Sequence, residues 1–476
     1  MNLKDKFPEN DKITQILKTI ATVVHDHNTE LYLVGGAVRD KIMTRETTDI
    51  DIAVIGNAIE FAEKFADKIG RKNIITYPKF GTAMVPFNKY VVEFATARCE
   101  EYLADSRKPK VSSGTLKEDL MRRDFTINAM AMSLNAGSMF DLIDEYEGLE
   151  DIAEHIIRTP LDPEETFSED PLRMLRAVRF ATQLNFKIEP DTFDAIAEVK
   201  ERMKIISQER ITEELRKIIM SKHTPSTGFV LLKKSGLLEI ILPEIAEMEG
   251  IDQSKDFHHK DVFWHTLEVL DNVAEMSDKY ELRFAALVHD LGKPDTKLFI
   301  PGKGWSFHGH EVVGMHKIHR FCRRLKLPNK LRDYAKKLTK LHLRPIALSD
   351  EDVTDSAARR LMVEAGDELD DLMALCRADI TSKNPEKVKQ YTANFDRVEK
   401  FIEAVEEKDK LRSFQSPVRG DEIMQMFGLQ PGKAIGIIKG ELEELILEGV
   451  IPNDYDAVKE YLLSHKDQFL QKIDNA

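Results

Sequence analysis

Cysteine is scarce in this sequence. Its 476 residues include only Cys99, Cys322 and Cys376, which lie far apart and form no Cys-x-x-Cys pair. A disulfide framework and a cysteine-ligated zinc site are therefore excluded as organising features of the fold. So few cysteines are typical of a protein from a reducing compartment, and we expect a cytoplasmic location.

Long apolar runs are also missing. No uninterrupted apolar stretch has the length that a transmembrane helix needs. The first residues, MNLKDKFPENDK, are polar and lack the apolar core of a signal peptide. The sequence therefore predicts a protein with no membrane partner.

The sequence has no excess of positive charge. Lysine and arginine number 69 against 83 aspartate and glutamate residues, and the net charge at pH 7 is −14. This balance argues against a bulk nucleic-acid binder, so we expect no DNA partner and an RNA contact only through local basic faces. A chain of this length exceeds one hydrophobic core, which predicts three or four domains.

A compact stretch that starts at Leu31, LYLVGGAVRDKIMTRETTDIDIAVI, carries the clearest chemical signal. It reads as an apolar strand, a glycine turn, a short helix, a loop and a second strand. Gly35 and Gly36 allow a tight turn and a close approach of the backbone to a ligand. The amides at the start of the following helix, together with the cation of Arg39, are suited to binding phosphate.

Two carboxylates follow in the second strand of this stretch. Asp49 and Asp51 are two residues apart, and side chains alternate along a strand, so both are expected on the same face. Beside a phosphate site, such a pair is suited to hold a divalent metal for nucleotide chemistry. A lone pair would more often be two acids on an exposed sheet face, but the glycine turn and Arg39, in the correct order, favour the metal site.

A third acid, Glu93, lies in the apolar, strand-like run YVVEFATA. A charged side chain in such a setting needs a partner. The sequence leaves two alternatives open: Glu93 is a third metal carboxylate, or it is the ion-pair partner of a nearby arginine.

The residues Arg122, Arg123 and Asp124 precede an apolar run that we expect to form a helix from Phe125 to Leu134. Two guanidinium groups and a carboxylate can bind phosphate and ribose hydroxyls together. A cluster of surface ion pairs is the alternative, and the three residues on their own favour it.

A further helix is predicted to start at Glu169, with Ser168 as its N-cap. Asp170 and Arg173 would then lie three residues apart on one helix face. A carboxylate and a guanidinium held side by side can hydrogen-bond the Watson–Crick edge of a nucleobase. The alternative, which the residues alone favour, is a helix-dipole contact plus a local salt bridge. The basic face of the same helix continues at the same spacing with Arg176 and Arg179.

A second group of histidines and aspartates lies between residues 255 and 380. It comprises, in chain order, His265, His289, Asp290, His310, His342 and Asp379. Imidazoles and carboxylates from several helices can bind one or two divalent metals. His308 and His316 are alternatives to His310, and His259 is expected to take no part. A degenerate domain that is only structural is the alternative to a working metal site.

Two further stretches are candidates for contact with RNA. Residues 317–346 contain eleven lysines and arginines against one aspartate. Such a run is usually a solvated face, although in a chain this acidic it favours contact with phosphate. The polar loop at residues 105–116 carries a smaller basic cluster, and we expect a connection near the active site or a solvated loop.

Three of these motifs occur in a specific order: GGAVRD…DIDIAV, RRDFTINAMA and EDPLRMLRAVRF. Together they resemble the class II tRNA nucleotidyltransferase and bacterial poly(A) polymerase family, whose catalytic head is of the DNA polymerase β type. The resemblance extends from about residue 30 to about residue 245. The order H…HD…H…H…D further on, with HDLGKP around the second histidine, is similar to the HD metal-dependent phosphohydrolase superfamily.

The first resemblance implies a role for each motif in the head. It implies that Asp49 and Asp51 bind catalytic Mg²⁺ and that Gly35, Gly36 and Arg39 hold a triphosphate. It further implies that Arg122, Arg123 and Asp124 bind ribose and phosphate. Asp170 and Arg173 would select CTP or ATP, with Arg176 and Arg179 beside them. The HD resemblance implies one or more divalent metals, of unidentified kind, on the histidine and aspartate group.

The implied activity is the addition of CCA, from CTP and ATP, to the acceptor end of tRNA. A poly(A) polymerase, or an enzyme that adds only CC or only A, remains an alternative with the same chemistry. The HD domain is compatible with hydrolysis of phosphates at RNA ends or of nucleotides. In a third alternative, the HD domain is the working enzyme and the head only binds RNA.

The expected fold class is α+β. A small mixed-sheet head of the polymerase β type is expected at residues 1–158, an all-α neck at 159–250, a helical HD domain at 251–385, and a helical tail that contacts tRNA at 386–476.

Overall fold

The computed structural model describes most of the chain. The described residues are 1–23, 29–87, 89–101, 110–251, 261–302, 304–348, 354–381, 384–409 and 417–474. His259 and the first part of the predicted basic loop, residues 105–109, lie outside them. Among the described residues, no helix combines the length and apolar character needed to cross a membrane.

The chain divides into two compact units, Met1–Pro243 and Glu244–Ala476. The finer domain boundaries after residues 158, 250 and 385 stay predictions.

The first unit contains a sheet and a series of helices. Its elements are α1 (Lys12–Ala21), β1 (Glu30–Val34), α2 (Gly36–Ile42), β2 (Asp49–Ile55), α3 (Ala58–Lys68), β3 (Ile75–Tyr77), β4 (Thr82–Phe87), β5 (Tyr90–Thr96), β6 (Arg98–Glu101), β7 (Lys110–Ser113), α4 (Leu116–Met121), β8 (Met130–Ser133), β9 (Leu142–Asp144), α5 (Gly148–Glu154), β10 (Ile156–Ile157), α6 (Pro163–Glu169), α7 (Leu172–Leu184), β11 (Lys187–Ile188), α8 (Pro190–Val199), α9 (Gln208–Ile219), α10 (Ser226–Lys234) and α11 (Leu238–Ile241). Helix α12 (Pro243–Ala246) begins at the last residue of this unit and continues into the second.

Seven of these strands form one mixed sheet in the order β3-β4-β5-β2-β1-β8-β9. The β2–β5 pair is parallel and the other neighbours are antiparallel. Helix α3 covers one face, where Phe61 and Phe65 both contact Phe94 of β5. The other face of β2 and β5 therefore remains available for the acids of the site.

The predicted strand, glycine turn, helix and strand of the central stretch are confirmed by β1, α2 and β2. Gly35 joins β1 to α2 with φ +71°, in the region that side chains with a Cβ rarely adopt. Asn57 caps α3 by accepting hydrogen bonds from the backbone amides of Ile59 and Glu60, as expected at this helix start.

The helix expected from Phe125 to Leu134 is wrong. One 3₁₀ turn, Thr126–Asn128, leads into strand β8, which lies between β1 and β9. All four residues of β8 are buried, so the strand has no polar, solvent-facing side. A short run that is buried throughout lacks the alternation that distinguishes a strand from a buried helix, and pairing with β1 decided the structure.

The helix predicted from Glu169, with Ser168 as its cap, is also wrong. Glu169 is instead the last residue of α6, and the next helix, α7, begins at Leu172. Asp170 between them has extended dihedral angles, φ −130° and ψ 95°. The ring of Pro171 excludes the helical conformation at the residue before it, which accounts for the break.

The second unit is mainly helical. Its elements are α13 (Val262–Met276), α14 (Tyr280–Val288), α15 (Lys293–Thr296), β12 (Leu298–Ile300), β13 (Gly304–Ser306), α16 (His310–Arg324), α17 (Asn329–Leu341), α18 (Arg344–Ala347), α19 (Asp355–Ala365), α20 (Leu369–Ala378), α21 (Pro385–Asp409), α22 (Gly420–Phe427), α23 (Lys433–Leu447), α24 (Tyr455–Ser464) and α25 (Lys466–Asp474). A small mixed sheet with extensive helices confirms the expected α+β class.

Gly148, at the start of α5, allows a close contact with the turn before β8. A Cβ atom on this residue would lie 2.3 Å from the backbone oxygen of Thr126. We therefore expect Gly148→Ala to lower the free energy of unfolding by about 1–3 kcal/mol, measured by urea titration. Gly440→Ala is the control, because this glycine lies in α23 with open space around it and alanine there should be neutral or slightly stabilising. Equal stability of Gly148→Ala and the wild type would contradict the packing argument.

Candidate functional site

The two acids of the central stretch lie beside the glycine turn. Asp51 is half-buried in β2, and Asp49 is exposed at the start of the same strand. A Cβ atom on Gly35 would lie 2.8 Å from Nη1 of Arg123 and 3.8 Å from Oδ2 of Asp51. A carboxylate, a guanidinium and the glycine turn therefore meet at one corner of the sheet.

The electrostatic environment of Asp51 suits a cation. Burial raises the pKa of Asp51, Arg123 partly opposes this shift, and the charge of Asp49 adds to it. A cation placed between the two acids would relieve both the desolvation and the repulsion. This fits the bound metal that the sequence predicts at Asp49 and Asp51, a role that stays a prediction.

Glu93 lies on the same sheet face as Asp51. Strands β2 and β5 are parallel, and their register places Asp51 directly opposite Glu93. Neighbouring residues in register point to the same side of a sheet, which favours the third-carboxylate alternative. The ligand atoms of Asp49, Asp51 and Glu93 do not converge within 4.8 Å among the described residues, so an ion would have to draw these side chains together.

The two arginines of the RRD motif are held by an acid that the sequence reasoning missed. Asp119 is buried in α4 and accepts hydrogen bonds from Arg122 and, at 2.9 Å, from Arg123. The spacing of three and four residues along a helix was the available signal. Asp119 thereby fixes the direction in which Arg123 reaches the glycine turn.

Asp124, the third residue of the motif, connects the head to α7. Its Oδ2 accepts a hydrogen bond from Nε of Arg176 at 2.7 Å, and its Oδ1 accepts one from Asn128 at 3.0 Å. Burial alone would raise the pKa of Asp124, but Arg176 outweighs it and lowers the pKa to about 2. The described contacts of Asp124 are thus those of an internal ion pair, and its role toward ribose stays a prediction.

Three arginines surround the ring of Phe180 in α7. The guanidinium carbons of Arg39, Arg176 and Arg179 lie 5.0, 5.3 and 4.0 Å from the ring centroid. Arg39 is buried and donates to Asn128 at 2.7 Å.

Arg179 is buried beside an acid of α9. It pairs with Glu214 at 2.8 Å. Burial and the neighbouring Arg176 lower the pKa of Arg179 to about 10, against the opposing effect of Glu214. Arg39 and Arg179 therefore contact protein groups in this structure, and their contribution to nucleotide binding stays a prediction.

Asp170 and Arg173 are not paired with each other. Asp170 precedes α7, and its Oδ2 accepts a hydrogen bond from Arg210 of α9 at 2.9 Å. Arg173 is buried and donates to the backbone oxygen of Arg122 at 2.6 Å, and it lies 3.4 Å from Glu169. The side-by-side arrangement expected from their spacing is wrong, because Pro171 ends the helix between them. Each side chain is instead fixed by its own partner.

The six residues of the second group come together in the second unit. His265 lies in α13, His289 and Asp290 directly follow α14, His310 is the first residue of α16, His342 directly follows α17, and Asp379 directly follows α20. All are buried except Asp379, which is half-buried. The alternatives His308 and His316 are exposed and lie outside the cluster.

The cluster has the arrangement of a two-ion site. The ligand atoms of His265, His289 and Asp379 lie within 4.8 Å of one another, and so do those of Asp290, His310 and His342. Asp290 connects the two halves: its Oδ2 lies 3.4 Å from Nε2 of His265, and its Oδ1 lies 3.4 Å from Nε2 of His310. A carboxylate in this position can bridge two divalent ions.

The histidines are oriented for metal binding by their other ring nitrogen. Nδ1 of His289, His310 and His342 lies 2.6–2.8 Å from the backbone oxygens of Ala286, Phe307 and Thr339, respectively. Because a carbonyl oxygen only accepts, each Nδ1 carries a proton, so Nε2 is the atom that would bind a metal ion once any proton of its own is released. For His265 the partner of Nδ1 is the hydroxyl of Thr381, at 2.8 Å.

Several buried atoms in the cluster have no hydrogen-bond partner among the described residues. They are Nε2 of His289, Oδ1 of Asp290 and Oδ1 of Asp379. Buried nitrogen and oxygen atoms that face one another without hydrogen bonds destabilise the folded protein unless an ion binds them. The donor set therefore fits one or two divalent metals of unidentified kind.

The charges of this cluster compensate one another. Burial opposes the charged form of Asp290, yet His289 and Lys293 hold its pKa well below the usual value. Nζ of Lys293 lies 2.6 Å from Oδ2 of this carboxylate. Burial likewise opposes the protonated form of His289, but Asp290 raises its pKa to about 10. A bound cation would take over this compensating role.

Much of the basic span at residues 317–346 is engaged with acids. Ion pairs join Lys317 to Glu247 and Asp295, Arg324 to Glu244, Arg332 to Asp333, Lys337 to Glu368, and both Lys340 and Arg344 to Glu364. These contacts neutralise a large part of the predicted phosphate-binding face.

Comparison with known proteins places family models along the chain. Residues 31–158 match the "Poly A polymerase head domain", residues 185–249 match the "Probable RNA and SrmB- binding site of polymerase A", and residues 262–384 match the "HD domain". The "Multifunctional CCA protein" of Pseudoalteromonas atlantica is 31% identical over 411 residues, which cover 83% of this chain and 96% of that protein. The protein of the same name from Shewanella frigidimarina is 35% identical over 323 residues, covering 64% and 72%.

Two solved structures are also similar to this chain. A tRNA nucleotidyltransferase complexed with a primer tRNA and an incoming ATP analogue is 27% identical, with a TM-score of 0.58 over 80% of this chain and 98% of that one. The CCA-adding enzyme of Bacillus stearothermophilus in complex with CTP has the same fold, with 24% identity and a TM-score of 0.67 over 97% of this chain and 100% of that one.

The cluster of six histidines and aspartates predicts that the second unit binds divalent ions. We expect Asp290→Ala to abolish tight Mn²⁺ binding in the second unit, because this carboxylate faces both halves of the cluster, whereas His342→Ala should reduce it. Isothermal titration of the full chain with Mn²⁺, with Asp51→Ala as background to remove the head site, provides the measurement. His308→Ala and His316→Ala are matched controls that should bind as the background variant does. Unchanged Mn²⁺ binding by Asp290→Ala would refute the assignment of this cluster as a metal site.

Proposed function

This chain belongs to the multifunctional CCA protein family, and from that premise we propose that it adds CCA to the acceptor end of tRNA, with CTP and ATP as donors. The observation that carries the proposal is the meeting of Asp51, Arg123 and the Gly35 turn at one corner of the sheet. The similarity over almost the whole length of a multifunctional CCA protein supports the tRNA substrate. As members of such a family act on tRNA, a cytoplasmic location is part of the same proposal.

In the proposed reaction, the 3′-oxygen of the RNA attacks the α-phosphorus of the incoming nucleotide, and the bond to the β-phosphate breaks to release pyrophosphate. Asp49 and Asp51 would hold Mg²⁺, with Glu93 as a third carboxylate on the same face. When bound, this ion would activate the hydroxyl and neutralise charge on the leaving group. Arg123 and the amides that follow Gly35 orient the triphosphate.

Nucleotide choice is proposed to depend on Asp170 and Arg173. The first is fixed by Arg210 and the second by the backbone oxygen of Arg122, so each side chain is held in place before a base arrives. A carboxylate acceptor and a guanidinium donor fixed in this way can distinguish the Watson–Crick edges of cytosine and adenine from those of other bases. The contact with Arg122 also joins α7 to the phosphate-binding motif.

The acceptor stem of tRNA is proposed to bind through its shape and its phosphates, because proteins contact double-stranded RNA mostly without reading its sequence. Basic side chains of the helical domains would supply these contacts.

A second activity is proposed for the HD cluster: hydrolysis of phosphate esters at RNA ends or of nucleotides. The observation that favours it is the pair of ligand groups connected by Asp290, whose buried donor atoms fit divalent metals. When bound, the metals would polarise the phosphate ester and lower the pKa of the attacking water. The backbone oxygens that contact Nδ1 of the histidine rings leave Nε2 as the atom that would bind a metal.

Reciprocal substitutions separate the two proposed activities. Asp51→Asn should reduce incorporation of labelled CTP and ATP into tRNA lacking its 3′ end by at least about a hundredfold, because it removes a metal ligand. Asp290→Asn should leave incorporation unchanged and abolish phosphoester hydrolysis. Sequencing of the products distinguishes CCA from CC, A or poly(A). Full incorporation by Asp51→Asn would refute the head assignment, and phosphoester hydrolysis by the unmodified chain with no incorporation would favour the HD domain as the working enzyme.

The selection of the base yields a separate prediction. Arg173→Ala should lower the preference for CTP and ATP over UTP and GTP by about tenfold, because a hydrogen-bonding group that rejects the wrong base is lost. Competition among the four labelled nucleotides measures this preference, and circular dichroism checks folding. Arg202→Ala is the matched control, since the one hydrogen bond of this exposed arginine among the described residues goes to the backbone oxygen of Ser168. Unchanged selectivity in Arg173→Ala would remove its role in base choice.

A further inference from the structure

A small hairpin in the second unit exposes large apolar side chains. Among the described residues, strands β12 and β13 pair only with each other, as a two-stranded antiparallel sheet. Phe299 and Trp305 are 55% and 39% exposed, and Leu298, on the opposite face, is 63% exposed. A two-stranded hairpin is only marginally stable by itself. Large apolar side chains that such a hairpin exposes to water are expected to serve binding.

The two aromatic rings form one platform. The register places Phe299 directly opposite Trp305, so both side chains project from the same face of the hairpin. Their centroids are 5.2 Å apart and their planes are nearly perpendicular. Lys297, two residues before Phe299, is on the same face, and its Nζ lies 4.6 Å from the centroid of the indole ring.

Both ends of the hairpin are anchored at the HD cluster. On one side, β12 follows the short helix α15, whose first residue, Lys293, contacts Asp290. On the other side, β13 is followed by Phe307, whose backbone oxygen orients the ring of His310. Trp305 is five residues before His310, a separation of at most about 17 Å for an extended chain. A few nucleotides can span this distance.

The charge of the segment suits an anion. The connection between Asp290 and the aromatic platform carries two lysines: Lys293 pairs with Asp290, and Lys297 lies over the indole ring of Trp305. The one acid of this connection, Asp295, is neutralised by Lys317 at 2.6 Å. A positive side chain beside aromatic faces is the combination with which proteins bind single-stranded nucleic acid, the bases stacking and the phosphates contacting cations.

We propose that the hairpin face formed by Lys297, Phe299 and Trp305 binds the bases of an unpaired RNA end and directs the terminal phosphate toward the HD cluster. This inference rests on the proposed hydrolytic function of that cluster and names its substrate class: a single-stranded RNA end rather than a small phosphate ester. Phe299 and Trp305 provide the stacking surface, and Lys297 provides the phosphate contact.

Tryptophan fluorescence tests the proposal without catalysis. The chain has only two tryptophans, so Trp264→Phe leaves Trp305 as the single reporter. In EDTA, hexa-adenylate should quench its emission saturably, whereas an abasic ribose-phosphate oligomer of the same length should not. In the Trp264→Phe background, Phe299→Ala should weaken binding about tenfold and Lys297→Ala about threefold. Leu463→Ala, which removes an exposed side chain of α24, is the matched control and should leave binding unchanged.

The reciprocal variant Trp305→Phe keeps only Trp264, whose emission should not respond to hexa-adenylate. An unquenched Trp305, or equal quenching by the abasic oligomer, would overturn the proposal. A blue shift of Trp305 that depends on protein concentration would also overturn it, since a second copy of the chain would then cover the hairpin. Because binding is measured in EDTA, quenching of Trp305 in a chain that hydrolyses no phosphate ester would be a failure of the HD function alone. Hydrolysis of RNA ends without quenching of Trp305 would be a failure of this inference alone.

Discussion

A carboxylate removed from water requires a nearby positive charge, and this requirement organises both units of the protein. In the first unit, Asp119 and Asp124 are buried, and Arg123 and Arg176 compensate them. The penalty for leaving one partner of such a pair alone is large, so each acid determines where its arginine lies. The side chains expected to bind nucleotide are positioned by these internal acids as much as by the backbone.

Incomplete compensation marks the candidate metal sites. Burial and Asp49 raise the pKa of Asp51, and Arg123 offsets this only in part. In the second unit, Asp290 is balanced by Lys293 and the imidazoles, yet one of its oxygens has no hydrogen bond among the described residues. Elsewhere in the described chain the same chemistry ends in closed pairs, such as Asp124 with Arg176, where both carboxylate oxygens of Asp124 accept hydrogen bonds. The difference between a structural ion pair and a binding site is thus whether the protein supplies all of the opposing charge.

Local patterns in the chain predicted much of the head. The glycine turn at Gly35 and the alternation of Asp49 and Asp51 depend on dihedral angles and on strand geometry, which neighbouring residues determine. The run that forms β8 was predicted wrongly, because its buried residues fit a helix and a strand equally and only pairing with β1 decided between them. The expected pairing of Asp170 with Arg173 failed for a local reason that was visible in the sequence, the proline at position 171.

What the sequence determined by itself is the set of chemical groups and the order in which they occur. The glycine pair, the two acids, the arginine motif and the six candidate metal ligands of the second unit were all identified from it. Only the tertiary structure decided which of these groups contact one another: Asp119 holding Arg123, Arg210 holding Asp170, and Asp290 connecting two groups of ligands. The physical reason is that strand and turn geometry depend on residues close in the chain, whereas the compensation of a buried charge depends on residues from distant elements that folding brings together.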